Sequence, residues 1–427
     1  MEIYMASNRK EKTTGAETTA TITGLRREKL AALLQDGENV IVFANLQGNL
    51  EKFTQDNNFL YLTGLNYPEL IYVAGRFAGK FNELLFVERG DPEREVWEGK
   101  KLTAEEASRI SGISRVRYLD EFYNVLSGMA PMMKKISANL GFTALNRPLT
   151  FPMYMLEPLR SKHPQIEIKQ LNDLVAPLRK VKDTWEIEQL QKAIDVTGEG
   201  ILDVMQSTEA RMMEYELEAT LFYYIQRSGL KHWGFAPIIA AGINAATLHY
   251  EKNECRIKAG DLVLMDVGAS CNNYSADITR CFPVGAKFSP RQKQIYQTVL
   301  DVQKRVIAMI KPGATLAQLN NATRDWLAEG MLSIGLIKSA DEVVKYYMHS
   351  VSHFLGMDTH DLGGREAVLE EGNVITVEPG IYIPDEKLGV RIEDDVLVTK
   401  RGHEVLSKAI PKEIADIEKL RQKALRK

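Results

Sequence analysis

From about residue 25 the chain alternates short apolar runs with amphipathic stretches. Residues 40–44, 60–62, 70–73 and 83–87 read as strands, and 26–34, 103–110 and 121–130 as helices, an alternation that predicts an α/β domain over 24–174. The preceding residues 1–23 are polar and without period, and are expected to be a disordered extension. The pattern changes at Asp183-Thr184-Trp185-Glu186, a capping-box sequence. It is followed by Ile187, Leu190, Ile194, Thr197, Ile201 and Val204 at steps of three and four, which predicts a long amphipathic helix. Further helices are expected over 209–227, from Ser289-Pro290 to just before Pro312-Gly313, and over 316–330, with a solvated helix in the charged tail 412–427. Residues 178–427 thus read as a second domain, in the order helices, hairpin, helices, hairpin.

The hairpins carry the chemistry. Over 261–283, Leu262, Val263, Leu264 and Val267 face Tyr274, Ile278, Thr279 and Phe282 across Cys271-Asn272-Asn273. A turn centred between Cys271 and Asn272 places Asp266 opposite Asp277. Opposed β-carbons lie about 4.5–5.5 Å apart, and like charges there are destabilising. At an effective dielectric near 20 the repulsion is roughly 4 kcal/mol, so water, a shared proton or a cation must offset it. Taken alone, the hairpin accommodates a solvated acidic pair or a bulge-shifted register as readily as a metal. The arrangement recurs over 374–398, where a turn centred between Asp385 and Glu386 places Glu378 opposite Glu393. Between the hairpins, His349, His353 and His360 place three of the seven histidines within twelve residues. Carboxylates with imidazole and no thiolate cluster suit a hard or borderline divalent ion.

Asp266, Asp277, His353, Glu378 and Glu393, in the contexts MDVGAS, SADITR, HSVSHFLGMDTHD, TVEPGIY and VRIEDD, resemble the five ligands of the pita-bread metallopeptidases. That family includes aminopeptidase P, prolidase, methionine aminopeptidase and the metal-free creatinase. The resemblance covers nearly the whole chain, and NNFLYLTGLNYPE with ERGDPEREVWEGKKLT is similar to the N-terminal domain of aminopeptidase P in particular. It implies an α/β N-terminal domain followed by an α+β pita-bread catalytic domain. It also implies two divalent ions, Mn2+ before Co2+ or Zn2+, with Asp266 on one, His353 and Glu378 on the other, and Asp277 and Glu393 bridging.

The implied reaction removes the N-terminal residue from peptides with proline second, by attack of a metal-activated water. Glu378 would move the proton, His249 hold the substrate and His360 donate to the oxyanion. His349, Tyr382 and Trp97 would surround the proline ring, Trp97 from a neighbouring subunit of a dimer or tetramer. Arg391, two residues before Glu393 on the same strand face, is expected to orient a ligand carboxylate. Ser350 departs from the family, which has glycine there. Two other readings stand beside this one: a prolidase acting on dipeptides, and a non-catalytic binding protein on the same fold, which the presence of all five ligand positions disfavours.

Composition narrows the picture further. The 427 residues are 44% hydrophobic and 26% charged, with net charge −3, so no broad positive field favours nucleic acid or an anionic membrane. Three cysteines, Cys255, Cys271 and Cys281, cannot form a disulfide framework. With no apolar signal-peptide core and no long apolar run, a cytoplasmic protein is expected.

Overall fold

Helix formation begins earlier than the sequence pattern predicts. The computed structural model describes residues 19–48, 52–364 and 366–426, and 19–33 are already helical. The expected extension therefore fails over 19–23, while its residues 1–18 lie outside the described residues. The pattern misleads because this helix buries polar groups. Thr23 is 2% exposed and its hydroxyl donates to Thr19 O at 3.0 Å. The buried Arg27 donates to Leu62 O, Ser111 O and Glu83.

The chain divides into two units, Met1–Leu178 and Arg179–Lys427. The first contains a six-stranded mixed sheet in the order Val116–Tyr118, Lys80–Val87, Ile71–Phe77, Glu38–Phe43, Lys135–Ala138, Glu167–Gln170. Its core holds Ile41, Phe43, Phe86, Phe122 and Ile136, with Phe122 edge-on to both Phe43 and Phe86. Residues 60–62, expected as strand, instead lie in helix Asn57–Thr63. End chemistry decides this: Asp56 caps the first turn through Phe59 N–H, and Gly64 closes the last turn at φ 69°. Leu-Tyr-Leu alone carries no helical period, so three apolar residues could not reveal it.

In the second unit, helix Thr184–Ser207 starts on the capping box Asp183/Glu186, and Pro290–Met309 and Leu316–Ser333 start on Ser289 and Thr315. The helix expected from 209 begins at Glu214, because Met213 is bridged to Arg256 in extended pairing. The tail helix Ile414–Ala424 is docked rather than solvated. Ile417 and Arg421 are fully buried, and the Arg421 guanidinium donates to the carbonyls of Met205, Thr208, Pro283 and Val284. A charge run conceals this, since arginine can be buried where several carbonyls converge.

The first hairpin pairs Leu262–Val267 with Ile278–Pro283, in a register that sets Asp266 against Thr279 and not Asp277. Asn272 and Asn273 both take positive φ, 50° and 64°, making the two-residue turn that suits a twisted hairpin. Its centre lies one residue later than expected, which moves every partner by two and keeps each side chain on its face. Asp266 and Asp277 are therefore diagonal neighbours on one face. Carried on, the register sets Gly268 against Asp277, where a β-carbon would meet Ala276 O at 1.8 Å. The second hairpin has the expected register, with Gly380 against Arg391 and Val377 against Asp394.

Candidate metal centre

Both hairpins interrupt their ladders beside acidic residues, the first at Asp277 and the second at Glu378 and Glu393. Pro379 follows Glu378 and offers no N–H, so the ladder stops at Val377 and resumes at Gly380. The glutamate amides, at a non-hydrogen-bonded pair of the hairpin, point outward, Glu378 N–H to Val351 O at 2.9 Å and Glu393 N–H to Thr279 O at 3.1 Å. The second bond splices one hairpin to the other. The first helps align the His353 segment with strand Val374–Val377, as do Thr376 N–H to His353 O at 3.0 Å and Leu355 N–H to Val374 O at 2.9 Å.

Asp277, His353 and Glu393 each present a ligand atom within 4.8 Å of the others. His353 Nε2 lies 3.4 Å from Asp277 Oδ2 and 3.5 Å from Glu378 Oε1. Its Nδ1 stands 3.0 Å from Phe354 O, a pure acceptor, so Nδ1 donates there and Nε2 is the ring atom turned to the carboxylates. Asp266 Oδ1 is buried and accepts no hydrogen bond among the described residues. An imidazole nitrogen, an orphaned carboxylate oxygen and converging acids are the donor set a divalent cation requires.

The electrostatics agree. Burial, with Asp266 and the neighbouring acids, pushes Asp277 well above the usual carboxylate range. Burial together with Asp277 and Asp266 does the same to Glu393. Burial pushes Glu378 up to about 7 although His353 and Arg391 oppose it. Without a cation, these acids hold protons that the unfolded chain releases near the ordinary glutamate value of 4.5. The folded state then binds more protons than the unfolded state, so stability is present below about 4.5 and is lost as pH rises to about 7. Metal-stripped protein should therefore show a Tm that falls from pH 4.5 to 7, with Glu378 alone contributing roughly 3 kcal/mol. Saturating divalent metal should abolish that fall; a fall of equal size with metal present would contradict the cation-holding role.

Arg391 ties the shell together. It is 4% exposed and donates to Asp266 Oδ2 at 2.6 Å, Thr279 Oγ1 at 3.1 Å and the Tyr382 hydroxyl at 2.9 Å. Thr279 in turn donates to Glu393 Oε2 at 2.7 Å, so one guanidinium orders carboxylates from both hairpins. His349 Nδ1 pairs with Ser350 O at 2.8 Å, leaving Nε2 to accept from Tyr382 at 2.8 Å. Burial holds His349 down to about 4, so its ring is neutral near pH 7. The His360 ring stands 4.3 Å from that of His353, and burial, His353 and His249 together lower its pKa. His249 is exposed, and its charge acts on both His349 and His360. Trp97 belongs to the first unit, on helix Pro92–Glu98, and is 89% exposed.

Residue patterns alone missed Thr279, Asp395 and Thr376. Asp395 accepts Asp277 N–H at 3.2 Å, and Thr376 Oγ1 accepts His353 N–H at 3.2 Å. Thr279 was legible in principle, standing two residues beyond Asp277 on the same face. Asp395 was hidden in the run Glu393-Asp394-Asp395, whose middle member pairs with Arg280 at 2.7 Å, away from the centre. Cys281, on the Asp277 face, is fully buried with its thiol pushed up to about 12 by burial, as befits a packing residue.

Residues 188–400 match the model of metallopeptidase family M24, and residues 24–136 that of the aminopeptidase P N-terminal domain. An Xaa-Pro aminopeptidase of Haemophilus influenzae is 34% identical, over 92% of this chain and 96% of its own length. Human Xaa-Pro aminopeptidase 3 is 33% identical, over 93% of this chain and 85% of its own. The structure of Escherichia coli aminopeptidase P with the inhibitor Pro-Leu superposes with a TM-score of 0.88 at 29% identity, covering 96% of this chain and 99% of that one.

Proposed function

The chain belongs to metallopeptidase family M24 as an aminopeptidase P, and from that premise we propose how its residues divide the work of removing the N-terminal residue from peptides with proline second. The family works with divalent metal ions; two, with manganese the best candidate, fit the four carboxylates and one imidazole of this centre. Bound ions acidify a water and polarise the scissile carbonyl. Asp266 would serve one ion, His353 and Glu378 the other, and Asp277 and Glu393 would be shared between them. The observation that carries this reading is the convergence of Asp277, His353 and Glu393 within 4.8 Å, with His353 Nδ1 turned to Phe354 O and its Nε2 to the carboxylates.

The remaining residues bind and orient. Glu378 Oε1, beside His353, takes the proton of the attacking water and returns it to the leaving proline nitrogen. His360, held neutral by its lowered pKa, directs an N–H at the developing oxyanion. His249 holds the substrate. Arg391 fixes Asp266 directly and Glu393 through Thr279, so neither ligand must reorient during turnover. His349, locked to the fully buried Tyr382, presents the ring against which a proline can pack without an amide N–H to satisfy, and Tyr382 supports it from behind.

The exposed Trp97 is the further wall, reaching a neighbouring chain of a homo-oligomer. Trp97→Ala should lower kcat/KM for Xaa-Pro peptides by about 1–3 kcal/mol with bound metal unchanged. Wild-type kinetics in the variant would return Trp97 to its own unit. No helix among the described residues is long and apolar enough to cross a membrane. Cytoplasmic residence is part of the proposal, supported by three unpaired cysteines.

Turnover of Gly-Pro, a Gly-Pro-Xaa tripeptide and a longer peptide, with manganese supplied, tests the reading. Release of glycine from the longer peptides is expected, and it must stop when the metal is chelated. Hydrolysis of Gly-Pro alone would make the chain a dipeptidase.

A further inference from the structure

His249 stands in a loop, 242–255, whose backbone is held from below by one buried carboxylate. Glu214, the first residue of helix Glu214–Arg227, is fully buried. Its Oε1 accepts Ala241 N–H at 2.8 Å and the Asn244 side-chain amide at 2.9 Å. Its Oε2 accepts the Tyr250 hydroxyl at 2.7 Å and Cys255 N–H at 2.9 Å. These donors lie at the entry to the loop, immediately after His249, and at the exit. None of them is cationic. One helical turn on, Glu218 accepts from Asn253 Nδ2 at 2.8 Å, and the spacing of four puts both acids on one helix face. Asn253 Oδ1 completes the tie by accepting Ile239 N–H at 2.9 Å. From the other side the loop abuts the second hairpin so closely that a β-carbon at Gly389 would meet Ala245 O at 1.8 Å. Ala241 and Asn253 are buried and Asn244 and Tyr250 half-buried, whereas Cys255 at the exit and His249 itself are exposed.

An ionised carboxylate is stable in such a place only when its lone pairs are filled, and four donors fill them. A glutamine cannot replace it, because its amide nitrogen would face two donors whichever way the group turned. We propose that Glu214 is a positioning residue of the reaction: by gathering the four loop donors it sets His249 at the substrate. The inference rests on the reading of His249 as the residue that holds the peptide. It adds to that reading a carboxylate that touches neither metal nor substrate.

A double-mutant cycle on the metal-loaded enzyme tests it. Glu214→Gln, Tyr250→Phe, His249→Ala and the two doubles with His249→Ala are compared for kcat and KM on a Gly-Pro-Xaa peptide, with bound metal and Tm measured for each. Glu214→Gln should lower kcat/KM on the order of 10- to 100-fold with metal content unchanged, because a small misplacement of a substrate-holding group is costly. Its loss should divide between kcat and KM as that of His249→Ala does, and Tyr250→Phe should follow in the same direction with a smaller loss. In the His249→Ala background neither change should cost anything further. Losses that multiply would overturn the inference and make Glu214 a residue of general stability. So would unaltered kinetics in both single variants. If Glu214→Gln does not fold, the Tyr250→Phe arm of the cycle decides on the same criteria. A His249→Ala variant with wild-type kinetics would instead remove the reading of His249 on which the inference stands.

Discussion

Asp277→Ala and Glu393→Ala are each expected to abolish peptide hydrolysis and to reduce bound metal. Both carboxylates are essentially buried, 5% and 1% exposed, and converge with His353. Each is pushed up by burial and by acidic neighbours, so its ionised form needs a cation beside it. Removing a bridge would leave two divalent ions facing each other with one charge fewer between them, and at an effective dielectric near 20 each missing pair at about 4 Å is worth several kcal/mol. Elemental analysis of the purified variants, beside turnover of a Gly-Pro-Xaa peptide, gives the answer. Two metals per chain and normal turnover in either variant would sink the dinuclear assignment. Asp277→Asn and Glu393→Gln separate charge from volume: if charge is what matters, they should behave like the alanine variants although the cavity is filled. Thr279→Val should give a milder loss, since it removes only the hydroxyl that donates to Glu393 Oε2.

His360→Ala should lower turnover by roughly 100-fold or more while both metals stay bound, because an oxyanion donor acts in the transition state and not in the resting site. The ring packs against His353, and burial, His353 and His249 keep it neutral. A neutral ring still carries one N–H, so the lowered pKa leaves the donor role open. The loss should therefore fall on kcat and kcat/KM alike, with KM little changed. Loss of metal in this variant would mean that the roles of His353 and His360 are exchanged.

Much of the site was legible because carboxylates and imidazoles have few other reasons to recur at matching places on two hairpins. Arg391 was legible through strand parity, and its observed bonds to Asp266, Thr279 and Tyr382 extend what parity could say. Glu214 was not legible as anything but the first turn of a helix. Its significance depends on Ala241, Asn244, Tyr250 and Cys255 returning to it from 27 to 41 residues away. No local pattern encodes such a convergence.

The sequence by itself determined the helices with capping boxes at Asp183, Ser289 and Thr315, the register of the second hairpin, and which face each acid occupies. Those properties follow from local end chemistry and from a side-chain period of two, which survives an error of one residue in the turn centre. Only the tertiary structure decided that Asp266 is opposed by Thr279, that the charged tail buries Arg421, and that the Glu378 amide meets Val351. In each case the decisive partner is distant in sequence or depends on an exact backbone angle. Hydrogen-bond donors and acceptors find such partners only once the chain has closed on itself.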